Sequence, residues 1–215
     1  MGELTKPELR SRFRRLRAAA LPAREAAIQA VAARELTHWL KTDWLKTDWL
    51  RLAAPGPNSP CGGRGNSLGL YWPLAGEADL RGCLQQNLPT TPWSLALPAI
   101  ASTAEDPQLG LRYRPWRPGD PLAADHCGIA APLVCPPLPA SAMAALLLPC
   151  LALDSRGLRL GYGGGWFDRL RAQPGWRAVP ALGVLPAACL AAALPQDHWD
   201  VPLDGWIDEN GLHWL

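Results

Sequence analysis

Four of the five residues from 161 to 165 are glycine, and this run constrains the chain more than any other feature. Glycine costs conformational entropy and adds nothing to a core, so such a run persists where the backbone must turn sharply or be approached closely. A loop of this kind can direct N–H groups at an anion. Trp166–Leu170 then predicts a first helical turn, with Asp168 available for a cation. We therefore predict a phosphate-binding loop; a tight strand-to-helix turn without a ligand is the alternative.

The run matches neither of the two common nucleotide motifs. No Lys-Ser or Lys-Thr follows the glycines, which excludes a Walker A loop, and Trp166 stands where a dinucleotide fingerprint needs its third glycine. The spacing alone thus indicates an anion site of another type.

Composition indicates a soluble, cytoplasmic globular protein. The chain has 215 residues, of which 48% are hydrophobic and 19% charged, and its net charge of +2 is too small to imply a nucleic-acid partner. The longest apolar run, Ala142–Leu153, is too short for a membrane span and contains Pro149. Six cysteines without a close Cys-x-x-Cys pair favour reduced thiols over disulfides or a zinc site. We expect one domain over residues 1–215.

The first helix is predicted by Thr5-Lys-Pro-Glu8, a capping box with proline in the first turn. At about 100° per residue, Leu9, Phe13, Leu16 and Ala20 form one stripe. A second, basic stripe lies beside it and consists of Lys6, Arg10, Arg14 and Arg17. The basic row therefore borders the buried face of the helix, where it either serves a cleft or is simply a solvated surface.

The elements that follow predict an α/β fold. A second helix is expected from Arg24 to about Trp39, followed by a tandem repeat of Lys-Thr-Asp-Trp-Leu and a flexible insertion at about 44–65. Predicted strands are Ser67–Trp72, Ser94–Leu97, Leu111–Tyr113, Ala144–Leu148, Ala178–Leu185 and Gly205–Asp208. Predicted helices are Ala78–Gln86, Trp166–Ala172 and Ala187–Leu194, and Asn210-Gly211 predicts a C-terminal hairpin turn. This alternation favours a mixed, mostly parallel sheet flanked by helices.

Four segments together resemble one known family. They are Lys6–Arg10, Tyr71–Glu77, Pro149–Arg169 and Leu194–Asp204, in collinear order over nearly the whole chain except about 44–65. The chain is similar in these segments to the 5-formyltetrahydrofolate cyclo-ligase family, also called 5,10-methenyltetrahydrofolate synthetases. The resemblance implies a single α/β domain that uses ATP and Mg²⁺ to convert 5-formyltetrahydrofolate to 5,10-methenyltetrahydrofolate with release of ADP and phosphate. It also implies a phosphorylated formyl oxygen that is displaced when N10 attacks.

The resemblance assigns roles to individual residues. Lys6, Arg10 and Arg159 would be catalytic, placed around the phosphates. The implied ATP-binding residues are Lys6, Pro7, Glu8, Leu9, Arg10, Arg159, Leu160, Gly161, Tyr162, Gly163, Gly164, Gly165, Trp166 and Phe167. The implied binding residues for the reduced folate, with or without a polyglutamate tail, are Trp72, Glu77, Tyr162, Gly163, Gly164, Gly165 and Trp166. Asp168 and Asp200 would hold Mg²⁺, which needs only one or two carboxylates besides phosphate and water.

Some alternatives stay open at the level of sequence. Asp168 could instead be an acid at a helix start and Asp200 an acid in a turn. Arg14 and Arg17 match no family motif and are weaker candidates for the nucleotide or the glutamate tail. Trp166-Phe167 replaces two tyrosines that the family usually has. A non-enzymatic nucleotide- or folate-binding module is the alternative function, whereas a membrane or nucleic-acid partner is not expected.

Overall fold

The structure, a computed structural model, describes residues 4–42, 66–88, 93–102 and 109–215, in which helices are interleaved with short strands. The helices are α1 (Lys6–Ala20), α2 (Glu25–Val31), α3 (Thr37–Thr42), α4 (Arg81–Asn87), α5 (Trp166–Arg171) and α6 (Pro174–Arg177). The strands are β1 (Ser67–Gly69), β2 (Ser94–Ala101), β3 (Gly110–Trp116), β4 (Ala123–Ala124), β5 (Ala130–Ala131), β6 (Met143–Pro149), β7 (Ala152–Asp154), β8 (Arg159–Leu160), β9 (Ala181–Val184), β10 (Leu190–Ala191), β11 (Gly205–Ile207) and β12 (Leu212–Trp214).

Seven strands form the main sheet in the order β12-β11-β9-β6-β1-β2-β3. The four inner pairings are parallel, and only the edge strands β12 and β3 pair antiparallel. All seven residues of β6, at the centre, are buried, as expected for a strand covered on both faces. Strands β10, β7 and β8 form a second, small sheet, and β4 pairs with β5. The predicted class, a mostly parallel α/β sheet flanked by helices, is confirmed.

Helices cover both faces of the sheet, each over its own hydrophobic core. Leu147 of β6 faces the core formed with α2, α3 and α4, and its neighbour Leu146 faces the core formed with α1, α5 and α6. This alternation follows from the two-residue repeat of side chains along a strand. The second core holds Leu9 and Phe13 of α1, and it therefore fixes α1 beside the glycine run.

The first two predicted helices are found. The Thr5 backbone N–H donates to a Glu8 carboxylate oxygen at 2.8 Å, and the Thr5 hydroxyl donates to the same oxygen at 2.7 Å, so the capping box starts α1. The predicted second helix is a continuous helical run in which a π-helical turn, Ala32–Leu36, joins α2 to α3. The tandem repeat beyond Thr42 and the expected insertion at 44–65 lie outside the described residues.

The predicted helix Ala187–Leu194 is wrong. The segment is a 3-10 turn, Ala187–Cys189, followed by β10, in which Leu190 pairs with Leu153 of β7. The buried Asp154 carboxylate accepts the Leu194 N–H at 2.9 Å, so tertiary pairing overrides the helix propensity of this alanine-rich stretch.

Helix α4 starts at Arg81, three residues later than the predicted Ala78. Asp79 is held outside the helix, because its N–H donates to Glu25 and its carboxylate binds Arg81.

Strand β2 continues through Pro98, where the sequence predicts its end. Beyond Ala96 the strand has lost its partner β1 and pairs only with β3. The backbone groups of successive strand residues point to alternate edges, so the Pro98 nitrogen faces the edge at which β1 no longer pairs. Its missing N–H therefore costs no hydrogen bond between strands.

The predicted C-terminal hairpin is confirmed by β11 and β12, in which Trp206 pairs with His213.

Two expectations from composition concern membrane spans and cysteines. In that part of the chain no helix is long and apolar enough to cross a membrane. Among the cysteines described there, Cys83, Cys127, Cys150 and Cys189 are free thiols.

Candidate active site

A cavity of about 540 Å³ opens at the carboxyl ends of the parallel strands. Tyr71 and Trp72, which follow β1, lie on its wall with Pro98 and Ile100 of β2 and Pro149 at the end of β6. Ligands in open α/β sheets bind at this edge, because the chain leaves each strand there in a loop. The volume lies within the range of small-molecule sites.

Helix α1 directs two cations of its basic stripe into the cavity. The Lys6 ammonium donates to Asp197 Oδ2 at 2.6 Å and to Asp200 Oδ2 at 2.7 Å. Burial alone would lower the pKa of Lys6, but the hydrogen bonds to the two carboxylates outweigh it and raise the pKa. The Arg10 Nε–H donates to the Gly161 carbonyl at 3.0 Å. The stripe therefore lies along the glycine run.

The glycine run itself forms one wall of the cavity, from Gly161 to Gly165. Gly163 has φ +104° and Gly165 has φ +64°, in the region that residues with a Cβ rarely adopt. A Cβ at Gly163 would also lie 3.4 Å from the Arg10 guanidinium carbon. The backbone thus comes close to the cations of α1 because it carries no side chain at these turns.

Arg159 and Asp168 face each other across this loop. Arg159 Nη2 donates to Asp168 Oδ2 at 3.1 Å, and the guanidinium lies 5.4 Å from the centre of the Phe167 ring. Both side chains line the cavity, and that of Arg159 is only 8% exposed. Arg159, which the sequence assigns to phosphate, and Asp168, which it assigns to a metal, are therefore paired with each other in this structure.

The carboxylates fit a magnesium ion that is held jointly with phosphate. Among the described residues, no group of three or more His, Cys, Asp or Glu side chains could hold a metal alone. Asp168 and Asp200 nevertheless line one cavity, and Asp197, whose backbone N–H donates to Asp200 at 2.8 Å, adjoins them. Mg²⁺ commonly takes one or two carboxylates and completes its shell with phosphate oxygens and water.

Glu77 is a buried carboxylate in the wall of the same cavity. Its side chain is 2% exposed, and its Oε2 accepts the Leu74 N–H at 2.8 Å, which closes the turn of residues 74–77. Burial raises the pKa of Glu77, and the effect is partly offset by the Leu74 N–H, Arg17, Tyr162 and Arg159. Its Oε1 is buried and has no hydrogen-bond partner among the described residues. A buried acceptor without a donor suits a ligand N–H.

Trp72 lies beside Glu77 and offers an aromatic surface. The Arg81 guanidinium stacks on one face of the ring, 3.7 Å from its centre, and Trp116 meets the ring edge-on at 6.4 Å between ring centres. The ring is thereby fixed in the cavity wall. A flat heterocycle could pack against it while its N–H groups reach Glu77.

The structure brings most of the proposed site residues together. Lys6, Arg10, Trp72, Glu77, Asp200 and all residues from Arg159 to Asp168 line the cavity. Pro7, Glu8 and Leu9 do not line it: Leu9 packs in the core and Glu8 caps α1. These three lie between Lys6 and Arg10 in sequence but are not among the cavity residues, as expected for a helix that presents one face to the cavity.

Sequence reasoning missed several residues that the fold adds. Asp197 shares Lys6 with Asp200, and its position three residues before Asp200 in an Asp-His-Trp-Asp run was a signal. Apolar walls come from Ile100, Ile129 and Trp199. They carry no motif and are recognisable only from the fold.

Comparison with known proteins agrees with this architecture. The sequence profile of the 5-formyltetrahydrofolate cyclo-ligase family matches residues 66–208. The 5-formyltetrahydrofolate cyclo-ligase of Haemophilus influenzae is 31% identical over 139 residues, which are 64% of this chain and 72% of that protein. The Escherichia coli K12 protein of the same name is 39% identical over 67 residues, 31% of this chain and 36% of the relative.

Two solved structures share the fold. The Aquifex aeolicus 5,10-methenyltetrahydrofolate synthetase has a TM-score of 0.68 at 22% identity, covering 99% of this chain and 93% of its own. The synthetase of Mycoplasma pneumoniae has a TM-score of 0.61 at 18% identity, covering 96% and 99%. The profile match spans about two thirds of the chain. Together with the Haemophilus relative, it establishes the family assignment. This chain belongs to the 5-formyltetrahydrofolate cyclo-ligase family.

Proposed function

We propose that this chain is an ATP- and Mg²⁺-dependent ligase that converts 5-formyltetrahydrofolate to 5,10-methenyltetrahydrofolate and releases ADP and phosphate. The observation that carries the proposal is one cavity lined by two unlike sets of residues. Lys6, Arg10, Arg159 and the glycine run form one set, here called the phosphate half, and Glu77 and Trp72 form the other, the folate half. Such a cavity suits a phosphate chain that must meet a flat heterocycle.

The phosphate half supports binding of ATP. Lys6 and Arg10 approach from α1, and Arg159 lies across the glycine run from them. In the free protein, Lys6 is paired with Asp197 and Asp200, and Arg159 is paired with Asp168. Binding would exchange partners: the cations turn to phosphate oxygens, and the carboxylates become available to a divalent ion.

Asp168 and Asp200 would hold Mg²⁺, which when bound neutralises phosphate charge and orients the γ-phosphoryl group. The exchange gives Lys6, Arg159, Asp168 and Asp200 a counter-charge in both states. Since each ion pair in the free protein must open, ATP and Mg²⁺ should bind better together than alone.

The folate half supports binding of the pterin. Glu77 Oε1 is a buried acceptor for a pterin N–H, and Trp72 provides a surface for the ring. Tyr162 belongs to the glycine run and also interacts with Glu77. This arrangement would place the formyl group of the folate toward the γ-phosphate.

The reaction needs position and charge more than covalent chemistry. The formyl oxygen attacks the γ-phosphorus, and ADP leaves. N10 then attacks the formyl carbon and loses its proton, and the oxygen departs with the phosphate. Lys6, Arg10 and Arg159 stabilise the charge on the transferring group, as in other phosphoryl transfers.

The activity is tested by mixing the protein with ATP, MgCl₂ and 5-formyltetrahydrofolate and following the absorbance of methenyltetrahydrofolate. We expect product that requires all three components, with one ADP per product formed. Binding of ATP and folate without product would overturn the proposal and leave a non-enzymatic binding module. Omission of ATP and omission of Mg²⁺ are the controls.

A further inference from the structure

Arg17, in the last turn of α1, is a charged residue that the proposed reaction does not use. Its side chain is only 3% exposed, although its helix otherwise places its arginines in solvent or in the cavity. Nη1 donates to the Cys150 carbonyl at 3.1 Å, and Nη2 donates to the Tyr162 hydroxyl. Arg17 itself is not one of the cavity residues in the described chain. It therefore lies behind the wall on which Glu77 and Tyr162 sit.

The contact between Arg17 and Glu77 is an ion pair without a hydrogen bond to Oε1. Arg17 Nη1 is 3.7 Å from Glu77 Oε1, close enough for attraction between the charges but too far for a hydrogen bond. Both Arg17 Nε and Glu77 Oε1 lack a hydrogen-bond partner among the described residues. Arg17 thus supplies the counter-charge for Glu77 without using the acceptor that a ligand needs.

The contact between Arg17 and Tyr162 fixes the aromatic ring at the entrance to the same half of the cavity. The guanidinium carbon is 5.5 Å from the centre of the Tyr162 ring, and the hydroxyl is bound by Nη2. Tyr162 is on the glycine run, between two loop glycines, where the backbone alone would not define its orientation. One guanidinium therefore ties the folate half to the loop of the phosphate half.

We propose that Arg17 is a positioning residue of the folate subsite, which supplies the counter-charge of Glu77 and holds Tyr162 in place while touching neither ligand. The inference rests on the proposed function, because it takes the ligand of Glu77 to be the reduced pterin. A guanidinium suits this role, since its planar fork reaches several acceptors at once and it does not lose its proton.

The pH at which Glu77 ionises depends on the Arg17 charge, so it can be used to measure the effect of a change at Arg17. The charged and titratable groups that act on Glu77 are Arg17, Arg159, Tyr162, Tyr71 and Cys150. Burial raises the pKa of Tyr71 far above its ordinary value, raises that of Cys150 to about 12, and raises that of Tyr162 further from neutrality. Among these groups, Glu77 is the carboxyl group; burial raises its pKa and the Arg17 charge lowers it.

The test measures binding of 5-formyltetrahydrofolate without ATP by titration calorimetry, from about pH 5 to about pH 9. Binding of ATP with Mg²⁺ is measured separately. The variants are Arg17→Met, which removes the charge, and Arg17→Lys, which keeps it. Arg15→Met is the matched control, because it makes the same arginine-to-methionine change at an exposed position of the same helix.

For Arg17→Met we expect folate affinity to fall about tenfold or more at neutral pH. We also expect the acid limit of folate binding to move up by about one pH unit or more, since an adjacent cation lowers a carboxyl pKa by about that amount. Arg17→Lys should keep the acid limit near that of the wild type but bind folate more weakly, because an ammonium cannot reach both Tyr162 and Cys150. ATP binding and the Arg15→Met protein should be unchanged.

Two results would overturn the inference. One is folate binding by both Arg17 variants with the affinity and pH profile of the wild type. The other is an equal loss of folate and ATP affinity with an unmoved acid limit, which would make Arg17 a purely structural residue. If Arg17→Met does not fold, Arg17→Lys decides, and unchanged folate affinity in that variant overturns the inference. Absence of turnover by the wild type would instead refute the proposed function, and this is measured first.

Discussion

Lys6 is held by two carboxylates in the free protein, and its removal should act mainly on ATP. Loss of the ammonium from Lys6→Ala removes a charge-assisted contact to phosphate, worth about 1.5 to 3 kcal/mol. We expect ATP affinity to fall roughly ten- to a hundredfold, while folate affinity changes little. Calorimetric titration of each ligand measures both effects.

The matched control for Lys6 is Lys41→Ala, because Lys41 is an exposed lysine near the end of α3. It should bind ATP like the wild type. Unchanged ATP affinity in Lys6→Ala would mean that α1 does not border the nucleotide.

Glu77 should make folate binding depend on pH. Burial raises its pKa, and only the ionised carboxylate offers Oε1 as a charged acceptor. As the pH falls through this raised pKa, Glu77 gains a proton and folate affinity drops, at a higher pH than for an exposed glutamate. Above that pKa the affinity should be level. Titrations of 5-formyltetrahydrofolate at a series of pH values give the curve.

The amide variant Glu77→Gln provides the comparison for that curve. It should bind folate more weakly at neutral pH and show no acid limit from this position. An acid limit that persists in Glu77→Gln would assign the titration to another group.

Positions at the cavity were predictable from sequence where a motif or a helical repeat marked them. Lys6 and Arg10 were marked by their spacing on α1, and Asp168 by the loop before it. Arg17 belonged to the same stripe, but only the fold shows that it is buried against Glu77, 60 residues further along the chain. Partners so distant in sequence are set by how the helix packs on the sheet.

The glycine run is the element on which nucleotide binding depends. Gly163→Ala places a Cβ on a backbone with φ +104°, which costs about 1 to 3 kcal/mol or forces the loop to move. We therefore expect ATP affinity to fall roughly five- to a hundredfold with little loss of secondary structure. Calorimetry and circular dichroism together separate binding from folding.

The matched control for the glycine run is Gly82→Ala in α4. Gly82 is exposed and a Cβ there meets nothing within 4 Å, so the change should leave ATP binding intact. It should stabilise the protein by about 0.5 to 1 kcal/mol, because alanine favours a helix over glycine. Full ATP affinity in Gly163→Ala would show that this loop is only a turn.

Elements with a strong local signal were predicted well, and those defined by tertiary pairing were not. The capping box marked α1, and Asn210-Gly211 marked the hairpin of β11 and β12. Ala187–Leu194 has the composition of a helix, yet Asp154 and β7 hold it in a turn and a short strand. Such long-range hydrogen bonds leave no local trace in the sequence.

At the scale of the whole molecule, the sheet order explains why the site forms where it does. The parallel strands β1, β2 and β6 end at one edge, and α1 lies across that edge, held by the core beneath it. Residues that are far apart in sequence, such as Lys6, Glu77 and Asp200, therefore line one cavity. The α/β class could be predicted from alternating patterns, whereas the strand order could not, because it depends on crossovers.

The central claim is that ATP phosphates lie against the glycine run while the pterin lies against Glu77 in the same cavity. A crystal structure with Mg²⁺, a non-hydrolysable ATP analogue and 5-formyltetrahydrofolate tests it directly. We expect the terminal phosphate beside the backbone of residues 161–165, with Lys6 and Arg10 turned toward it, and a pterin N–H on Glu77 Oε1. Phosphates bound elsewhere, with Lys6 still paired to Asp197 and Asp200, would contradict the account.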